Sequence, residues 1–110
     1  MPLIQPTPPS AATLRKYGVT AEQWLEILAS QGNVCAICGK VPSTGRWVTD
    51  HAHVKGYKKL PDDQRRALIR GICCWWCNKT HLGRGITIDK AKAVVAYLQA
   101  FETRLSTRVS

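Results

Sequence analysis

The chain has few acidic residues, few large apolar side chains and no long apolar run. Its 110 residues include seven Asp and Glu, one Met and one Phe. No apolar segment approaches the roughly 20 residues that a membrane-spanning helix requires. The proline-rich N-terminus lacks the basic and apolar segments of a secretory signal. These absences argue against a membrane or exported protein, and we expect one small cytoplasmic domain whose limited core needs further stabilisation.

Basic residues outnumber acidic ones and are concentrated in the middle of the sequence. Sixteen Lys and Arg give the chain a formal charge of +9. Between Lys40 and Arg84, ten basic residues face three acidic ones, so this segment carries most of the excess charge. A basic surface of this size favours a polyanionic partner, most often a nucleic acid. The alternative is a basic protein whose charge serves only its solubility.

Five cysteines are the candidates for the stabilisation that the small core requires. Cys35 and Cys38 form one C-x2-C pair, and Cys74 and Cys77 form a second. Four thiolates from two such pairs complete the tetrahedral shell of a structural zinc ion, which leaves no open position for chemistry. Two disulfides or free thiols are the alternative, but cytosolic cysteines stay reduced. We expect Cys73, the fifth cysteine, to be a small buried apolar residue.

Helix signals flank the cysteine pairs on both sides. Thr20 and Gln23 have the spacing of a capping box at the start of a helix, and Gly32 is placed to end it. Thr87 can cap a last helix with apolar residues at helical spacing. We divide the chain into a flexible proline-rich arm, a single folded domain and a frayed tail, at residues 1–13, 14–105 and 106–110.

Two strands and a short helix are predicted between these flanking helices. Residues 47–49 form one strand, which runs into Asp50, and residues 67–73 form the other. Residues 74–82 then fit a short helix, and residues 61–63 start a helical turn between the strands. The chain is therefore predicted to be α+β.

Oxygen donors and imidazoles occur together around the second cysteine pair and the first strand. Asp50, His51 and His53 follow that strand, and Asn78 directly follows Cys77. Asp50 and Asn78 offer the hard oxygen donors that suit Mg²⁺ or Mn²⁺. The histidines offer a group that titrates near neutral pH. The alternative is a solvated strand end with a structural pair of histidines.

The order of these motifs resembles the phage recombination endonuclease VII family, which belongs to the HNH, or ββα-metal, nucleases. The resemblance covers roughly residues 14–101, including a Tyr17-Gly18-Val-Thr20 segment and Ala96-Tyr97-Leu98 in the last helix. Its most specific part is the ordered series Cys35-Ala-Ile-Cys38-Gly39, Asp50-His51-Ala52-His53, Arg70-Gly71-Ile-Cys-Cys74-Trp-Trp-Cys77-Asn78 and Leu82-Gly83. The resemblance implies a small zinc-stapled ββα-metal (HNH-like) fold with flanking N- and C-terminal helices.

The resemblance also implies roles for individual residues. Asp50 and Asn78 match the ligands of a catalytic divalent cation, Mg²⁺ or Mn²⁺. His51 matches the general base that takes a proton from water, and His53 matches a residue that supports the site. Many HNH enzymes use a helix histidine as a metal ligand, so His81 is a candidate third ligand; the alternative is a histidine that faces phosphate or simply lies on the surface. The four paired cysteines match the ligands of one structural Zn²⁺ per chain.

Basic side chains around this motif are the predicted contacts to DNA. Such side chains hold the phosphate backbone and position the duplex without carrying sequence information. The predicted DNA-binding residues are Lys55, Lys58, Lys59, Arg65, Arg66, Arg70, Lys79 and Arg84.

The sequence therefore predicts a divalent-metal-dependent DNA endonuclease that hydrolyses phosphodiester bonds. Its expected substrate is duplex or branched (Holliday-junction-like) DNA, cut as a resolvase or as a nicking enzyme, in the host cytoplasm if a phage encodes it. A homodimer is expected for paired cuts, through the last helix or through the first helix with Trp24 and Leu28. No membrane partner is expected. The alternatives are a non-catalytic zinc-stapled DNA-binding module and a protein-interaction adaptor that presents Trp75 and Trp76.

Overall fold

The computed structural model describes residues 6–83 and 85–109, and within them it shows a small mixed α+β protein. Along the sequence, helices precede and follow the two strands, which form one antiparallel sheet. The elements are α1 (Ala11–Lys16), α2 (Ala21–Ser30), β1 (Trp47–His51), a 3₁₀ turn (Tyr57–Lys59), α3 (Asp62–Ala67), β2 (Ile69–Cys74), α4 (Trp75–Thr80) and α5 (Ile88–Val109). The predicted α+β class is confirmed.

The first helix begins inside the segment that the sequence assigned to a flexible arm. Ser10 caps α1, because its hydroxyl accepts a hydrogen bond from the N–H of Thr13. Proline disfavours a helix only as far as Pro9, so the chain can turn helical immediately after it. Leu14 anchors this helix in the core at 7% exposure. The predicted arm through residue 13 is therefore too long at its C-terminal end.

The second helix has the termini that the sequence predicts. The hydroxyl of Thr20 accepts from the N–H of Gln23, and the Gln23 side chain accepts from the N–H of Thr20, which completes a capping box. Gly32 has a φ of +77° just after the helix ends. Glycine adopts that left-handed conformation without a steric penalty, and this favours a helix end at this position.

The sheet pairs β1 with β2 and becomes irregular next to the candidate site. Asp50 lies opposite Gly71, whereas His51 lies opposite Ile69, so Arg70 is an extra residue on β2 at this point. Such a bulge re-aims side chains at the end of a strand pair. Helix α4 follows β2 directly and contacts both strands, so its side chains are held close to the end of β1.

The core joins helix α2 to the sheet. Trp24, Leu28 and Ile72 are fully buried, and the indole N–H of Trp24 donates to the hydroxyl of buried Thr49 over 2.9 Å. Gln31 fixes the end of α2 to β2, because its side chain donates to the carbonyl of Ile72 and accepts from the N–H of the same residue, both at 2.8 Å. The predicted dimer interface through Trp24 and Leu28 is therefore wrong, since the monomer core already buries both side chains.

Helix α5 leaves its side chains exposed from Ile88 to Thr107. The Thr87 hydroxyl accepts from the N–H of Lys90 and starts the helix as predicted. The helix then continues to Val109, past residue 105 at which the sequence predicts fraying. Its apolar residues at helical spacing are all about half exposed or more: Ile88, Val94, Val95, Leu98, Phe101 and Leu105. No helix in the described part of the chain has the length and apolar character needed to cross a membrane.

Candidate active site

The four paired cysteines lie together where the loop after α2 meets the β2–α4 junction. The Sγ atoms of Cys35, Cys38, Cys74 and Cys77 all lie within 4.8 Å of one another, and those of Cys38 and Cys74 are 4.0 Å apart. Four bonds of about 2.3 Å to one zinc ion place tetrahedral sulfur ligands roughly 3.8 Å apart. A disulfide would bring two sulfurs to about 2.05 Å. Donor type and spacing therefore fit a zinc ion.

Backbone N–H groups aim at two of these sulfurs. The N–H of Ile37 donates to Sγ of Cys35 and the N–H of Cys77 donates to Sγ of Cys74, each over 3.4 Å. Burial raises the pKa of Cys35, but hydrogen bonds from neighbouring N–H groups outweigh it and lower this pKa to about 6. A thiol in such surroundings readily becomes the thiolate that binds metal.

Cys73 stays outside the cysteine cluster. It is 2% exposed, and burial raises the pKa of its thiol to about 12. A thiol with this pKa remains protonated at neutral pH and behaves as a small apolar side chain. The prediction for Cys73 is confirmed.

The two predicted oxygen donors, Asp50 and Asn78, lie side by side. Asp50 is 6% exposed at the end of β1. The amide nitrogen of Asn78 on α4 is 3.4 Å from Oδ1 of Asp50. Arg70 donates to both carboxylate oxygens, from Nε to Oδ2 over 2.6 Å and from Nη2 to Oδ1 over 2.9 Å. Because Asn78 follows Cys77, the cysteine cluster sets the position of this amide.

This donor set fits part of the shell of a hard divalent cation. Asp50 offers carboxylate oxygens, and rotation of the Asn78 side chain places its amide oxygen where the nitrogen lies. Two oxygen ligands at right angles, each about 2.1 Å from Mg²⁺, are about 3 Å apart, and Mg²⁺ commonly keeps several waters. The 3.4 Å spacing observed between the two side chains is close to that value.

His81 lies exposed at the C-terminal cap of α4. In residues 6–83 and 85–109, the cysteine cluster is the only metal-spaced group of three or more His, Cys, Asp or Glu side chains. His81 therefore does not form a metal-spaced group with Asp50 and a third His, Cys, Asp or Glu among these residues. Its role as a third ligand stays a prediction.

Three aromatic rings surround the imidazole of His51. The ring of Tyr57 stacks on it with a centroid distance of 4.4 Å and an angle of 30°. Tyr17 and His53 contact it at tilted angles, with centroid distances of 5.4 and 4.7 Å. Burial, with the neighbouring His53, lowers the pKa of His51 and outweighs the charge of Asp50, which raises it. The neutral imidazole is therefore favoured here.

Lysine side chains on two segments near the site make no ion pair with any residue that the structure describes. Lys55, Lys58 and Lys59 are exposed in or next to the 3₁₀ turn. Lys79 on α4 lies over the ring of Trp75, with its Nζ 4.7 Å from the ring centroid. The guanidinium of Arg46 lies 5.3 Å from the same centroid. Cation–π contacts of this kind hold long basic side chains in place on a surface.

Arg65 and Arg66, two of the predicted DNA contacts, bind the protein itself. Arg65 donates to the carbonyls of Arg15 and Lys16 at the end of α1, and it pairs with Asp62. Arg66 donates to the carbonyl of Gly18 and to the Gln23 side chain. These contacts tie α3 to the first two helices, and a DNA contact would compete with them. Arg84, another predicted contact, lies outside the described residues.

A protein-family model matches most of the chain. The model described as recombination endonuclease VII matches residues 10–100, which include both cysteine pairs, Asp50 and Asn78. The chain belongs to the recombination endonuclease VII family. This match confirms the family that the sequence motifs predict.

Two curated phage proteins share part of this endonuclease VII sequence. The chain is 34% identical over 71 residues to "Gene 59 protein" of Mycobacterium phage D29, a match covering 64% of this chain and 36% of that protein. It is 31% identical over 71 residues to "Gene 59 protein" of Mycobacterium phage L5, covering 64% and 37%. The chain thus spans about a third of the length of these relatives. No solved structure matches it.

The structure places further residues around the candidate site that the sequence motifs did not assign to it. Tyr17 and Tyr57 pack on His51, and Arg46 joins Lys79 on Trp75. Tyr17 lies just ahead of α2, in the Tyr17-Gly18-Val-Thr20 segment that resembles the family. The sequence could therefore have identified it as a site residue. Tyr57 lies in a polar, basic stretch that reads as a loop, so nothing in the sequence singled it out.

Proposed function

We propose that this endonuclease VII family member is a divalent-metal-dependent DNA endonuclease with an HNH-like ββα-metal site. The observation that carries the proposal is the adjacency of Asp50 and Asn78 across β1 and α4, next to the cysteine cluster. The order of two antiparallel strands followed directly by a helix supports the ββα assignment. A DNA-binding module without catalysis does not require this oxygen pair.

In the proposed hydrolysis, the oxygen pair binds a cation and a separate base accepts a proton from water. Asp50 and Asn78 would hold Mg²⁺ or Mn²⁺, and the cation would supply positive charge to offset the negative charge that develops on the phosphate and on the leaving 3′-oxygen. The neutral imidazole of His51 accepts the proton of the attacking water, and His53 supports that site. Arg70 orients the carboxylate of Asp50 through its two hydrogen bonds. The products carry 5′-phosphate and 3′-hydroxyl ends.

The cysteine cluster has a separate, structural role in this proposal. Cys35, Cys38, Cys74 and Cys77 hold one zinc ion, and four thiolates leave no position for substrate or water. The zinc ion fastens the start of α4, and Asn78 follows Cys77 on that helix. Folding and the position of the amide therefore both depend on the cluster.

DNA binding is proposed to depend mainly on lysines near the site. Lys55, Lys58, Lys59 and Lys79 are exposed and make no internal ion pair in the described structure. Arg65, Arg66 and Arg70 remain proposed contacts that first have to leave their internal partners, and Arg84 remains proposed from its sequence position alone. Membership of the recombination endonuclease VII family supports action on DNA. Because the two similar proteins come from phages, we propose that this action takes place in the cytoplasm of an infected host.

A homodimer through α5 is proposed for paired cuts in branched DNA. Two opposed cuts need two sites in one complex, and the described chain contains one such site. The exposed apolar stripe of α5, which includes Leu98 and Phe101 at 54% and 51% exposure, is available for a second copy. Light scattering with and without a four-way junction tests this proposal, with Leu98→Lys expected to leave a monomer that makes single nicks.

A non-catalytic DNA-binding module is the second candidate, and one observation favours it. Arg70 engages both oxygens of Asp50, so a cation must share the carboxylate with a guanidinium. That pair could be a purely structural ion pair in a zinc-stapled binding domain. The two candidates differ in whether Asp50 is needed for cleavage or only for stability.

The experiment that tests the proposed function uses a matched panel of substrates with zinc-loaded protein. Linear duplex, nicked duplex, a four-way junction and single-stranded DNA are each incubated with Mg²⁺, with Mn²⁺ and without added divalent cation. We expect cation-dependent cleavage, with the preferred substrate identifying a resolvase or a nicking enzyme. Binding without cleavage on every substrate would favour the non-catalytic module.

A further inference from the structure

The imidazole of His51 is held by rings rather than by hydrogen bonds. In the described part of the chain, its ring nitrogens make no hydrogen bond and no ion pair. A catalytic histidine is ordinarily oriented by a carboxylate or a backbone carbonyl at its second nitrogen. Here the close neighbours of the ring are Tyr57, Tyr17 and His53. Something other than a hydrogen bond must therefore fix its orientation.

The backbone alone does not fix this side chain. His51 is the last residue of β1, and the pairing with β2 is irregular between Asp50 and His51. A strand end leaves both side-chain torsions of a histidine free to adopt several rotamers. Base catalysis depends on placing the accepting nitrogen within hydrogen-bond reach of the water.

Tyr57 has the position and the rigidity to supply this constraint. Its ring is the closest to His51 and the most nearly parallel, at 4.4 Å and 30°. The 3₁₀ turn that carries it is closed by hydrogen bonds from the N–H of Tyr57 to Val54 and from the N–H of Leu60 to Tyr57. Its hydroxyl is buried and makes no hydrogen bond within the described residues. The hydroxyl end is thus enclosed by the protein while the ring face covers the imidazole.

We propose that Tyr57 is a positioning residue whose stacked ring holds the imidazole of His51 in the orientation needed to accept a proton. The proposal rests on the proposed function, since it requires His51 to be the base. Aromatic stacking is sensitive to angle and distance, so it restricts ring rotation in a way that an aliphatic neighbour cannot. The proposal requires the stacking face and not the hydroxyl, because the hydroxyl makes no hydrogen bond within the described residues.

Two substitutions separate the ring from its hydroxyl. Tyr57→Phe keeps the stacking face and should leave kcat within about two-fold of wild type. Tyr57→Leu keeps apolar bulk without a ring and should lower kcat about 10–100-fold, the size expected for a misplaced catalytic group, with KM nearly unchanged. Tyr97→Leu, at a tyrosine 76% exposed on α5, is the matched control and should have no effect on kcat.

A double variant tests whether Tyr57 acts through His51. In a His51→Ala background, adding Tyr57→Leu should cause no further loss of single-turnover rate, because the group that Tyr57 positions is already absent. A further loss equal to that in the wild-type background would show a general structural role and would overturn the proposal. Equal kcat for Tyr57→Leu and wild type would overturn it as well.

A spectroscopic measurement detects the stacking of Tyr57 on His51 without requiring cleavage. In zinc-loaded protein, the carbon-bound ring protons of His51 should lie upfield from ring current, stay there in Tyr57→Phe and move downfield in Tyr57→Leu. If Tyr57→Leu does not fold, Tyr57→Met supplies a flexible apolar replacement for both readouts. Absence of cleavage by wild-type protein would overturn the proposed function itself. A cleaving wild type with an unaffected Tyr57→Leu variant would overturn only the positioning role.

Discussion

Arg70 and Asp50 form a two-point ion pair at the centre of the candidate site. The guanidinium donates to both carboxylate oxygens, at 2.6 and 2.9 Å, and Asp50 is almost fully buried whereas the Arg70 side chain is 38% exposed. The hydrogen bond to Asp50 raises the pKa of Arg70, which therefore stays charged. Arg70 is also the extra residue of β2 where the strand register shifts. The bulge thus aims a fixed positive charge at the residue proposed to bind a cation.

Arg70→Gln should destabilise the protein and make its stability dependent on magnesium. Removing the guanidinium leaves a buried carboxylate without its charged partner, at a cost of about 1–2 kcal/mol, because hydrogen bonds to charged groups contribute more than neutral ones and Arg70 is partly exposed. A bound cation can take over the neutralisation, so Mg²⁺ should narrow the gap to wild type. Urea unfolding of zinc-loaded protein with and without Mg²⁺ measures both effects, with exposed Arg104→Gln as control. A gap unchanged by Mg²⁺ would argue against cation binding at Asp50.

Cys74→Ser and Cys73→Ala should have opposite consequences for metal content. Cys74 belongs to the four-sulfur cluster, and structural zinc sites carry apparent binding free energies of about 10–16 kcal/mol. Cys74→Ser should therefore unfold the protein or cost several kcal/mol. Cys73→Ala removes a buried thiol outside the cluster and should retain one zinc per chain. Elemental analysis and thermal unfolding decide the point, and a stable Cys74→Ser protein without metal would contradict the zinc assignment.

Substitution of the two neighbouring histidines should distinguish a base from its support. His51→Ala should reduce the cleavage rate by at least about 10²-fold, the usual contribution of a positioned base. DNA affinity should change little, since no phosphate contact is assigned to this ring. His53→Ala should cause a smaller loss. The two variants are compared by single-turnover rates and by DNA binding, and survival of activity in His51→Ala would move the base to His53 or His81.

Much of this architecture could be predicted from local sequence signals. The capping box at Thr20, the left-handed Gly32 and the cap at Thr87 each leave a short-range signature, because caps satisfy backbone groups within three or four residues. The paired cysteines and the Asp50–Asn78 pair could be predicted because a tetrahedral metal site and a family motif impose fixed spacings.

The remaining features depend on contacts between distant segments. The internal hydrogen bonds of Arg65 reach α1 across 50 residues, and those of Arg66 reach Gly18 and α2 across 48 and 43 residues. A run of basic residues in the sequence does not show which of them form such internal contacts. The register shift at Asp50 and the stacking of Tyr57 on His51 likewise arise from tertiary packing. Helix α1 escaped prediction because the prolines before it dominate the local composition.

Salt dependence should separate lysines that bind DNA from arginines that hold the fold. Each phosphate contact contributes about −0.9 to the slope of log K against log salt on duplex DNA. Lys58→Ala should therefore make the slope shallower by about 0.9 with little change in stability. Arg66→Ala should instead lower the free energy of unfolding by about 1 kcal/mol through its lost hydrogen bonds, with little change in slope. The reverse pattern would indicate that Arg66 contacts the DNA and that Lys58 does not.

Cleavage by zinc-loaded wild type and Asp50→Asn across a Mg²⁺ titration is the most direct test of a metal-dependent nuclease site. Asparagine keeps the size of the side chain and one oxygen donor while removing the charge that attracts the cation. The account predicts wild-type cleavage that saturates with Mg²⁺, and loss of cleavage in Asp50→Asn with zinc content and DNA affinity retained. Equal cleavage by the two proteins, or wild-type cleavage that does not depend on any divalent cation, would contradict it.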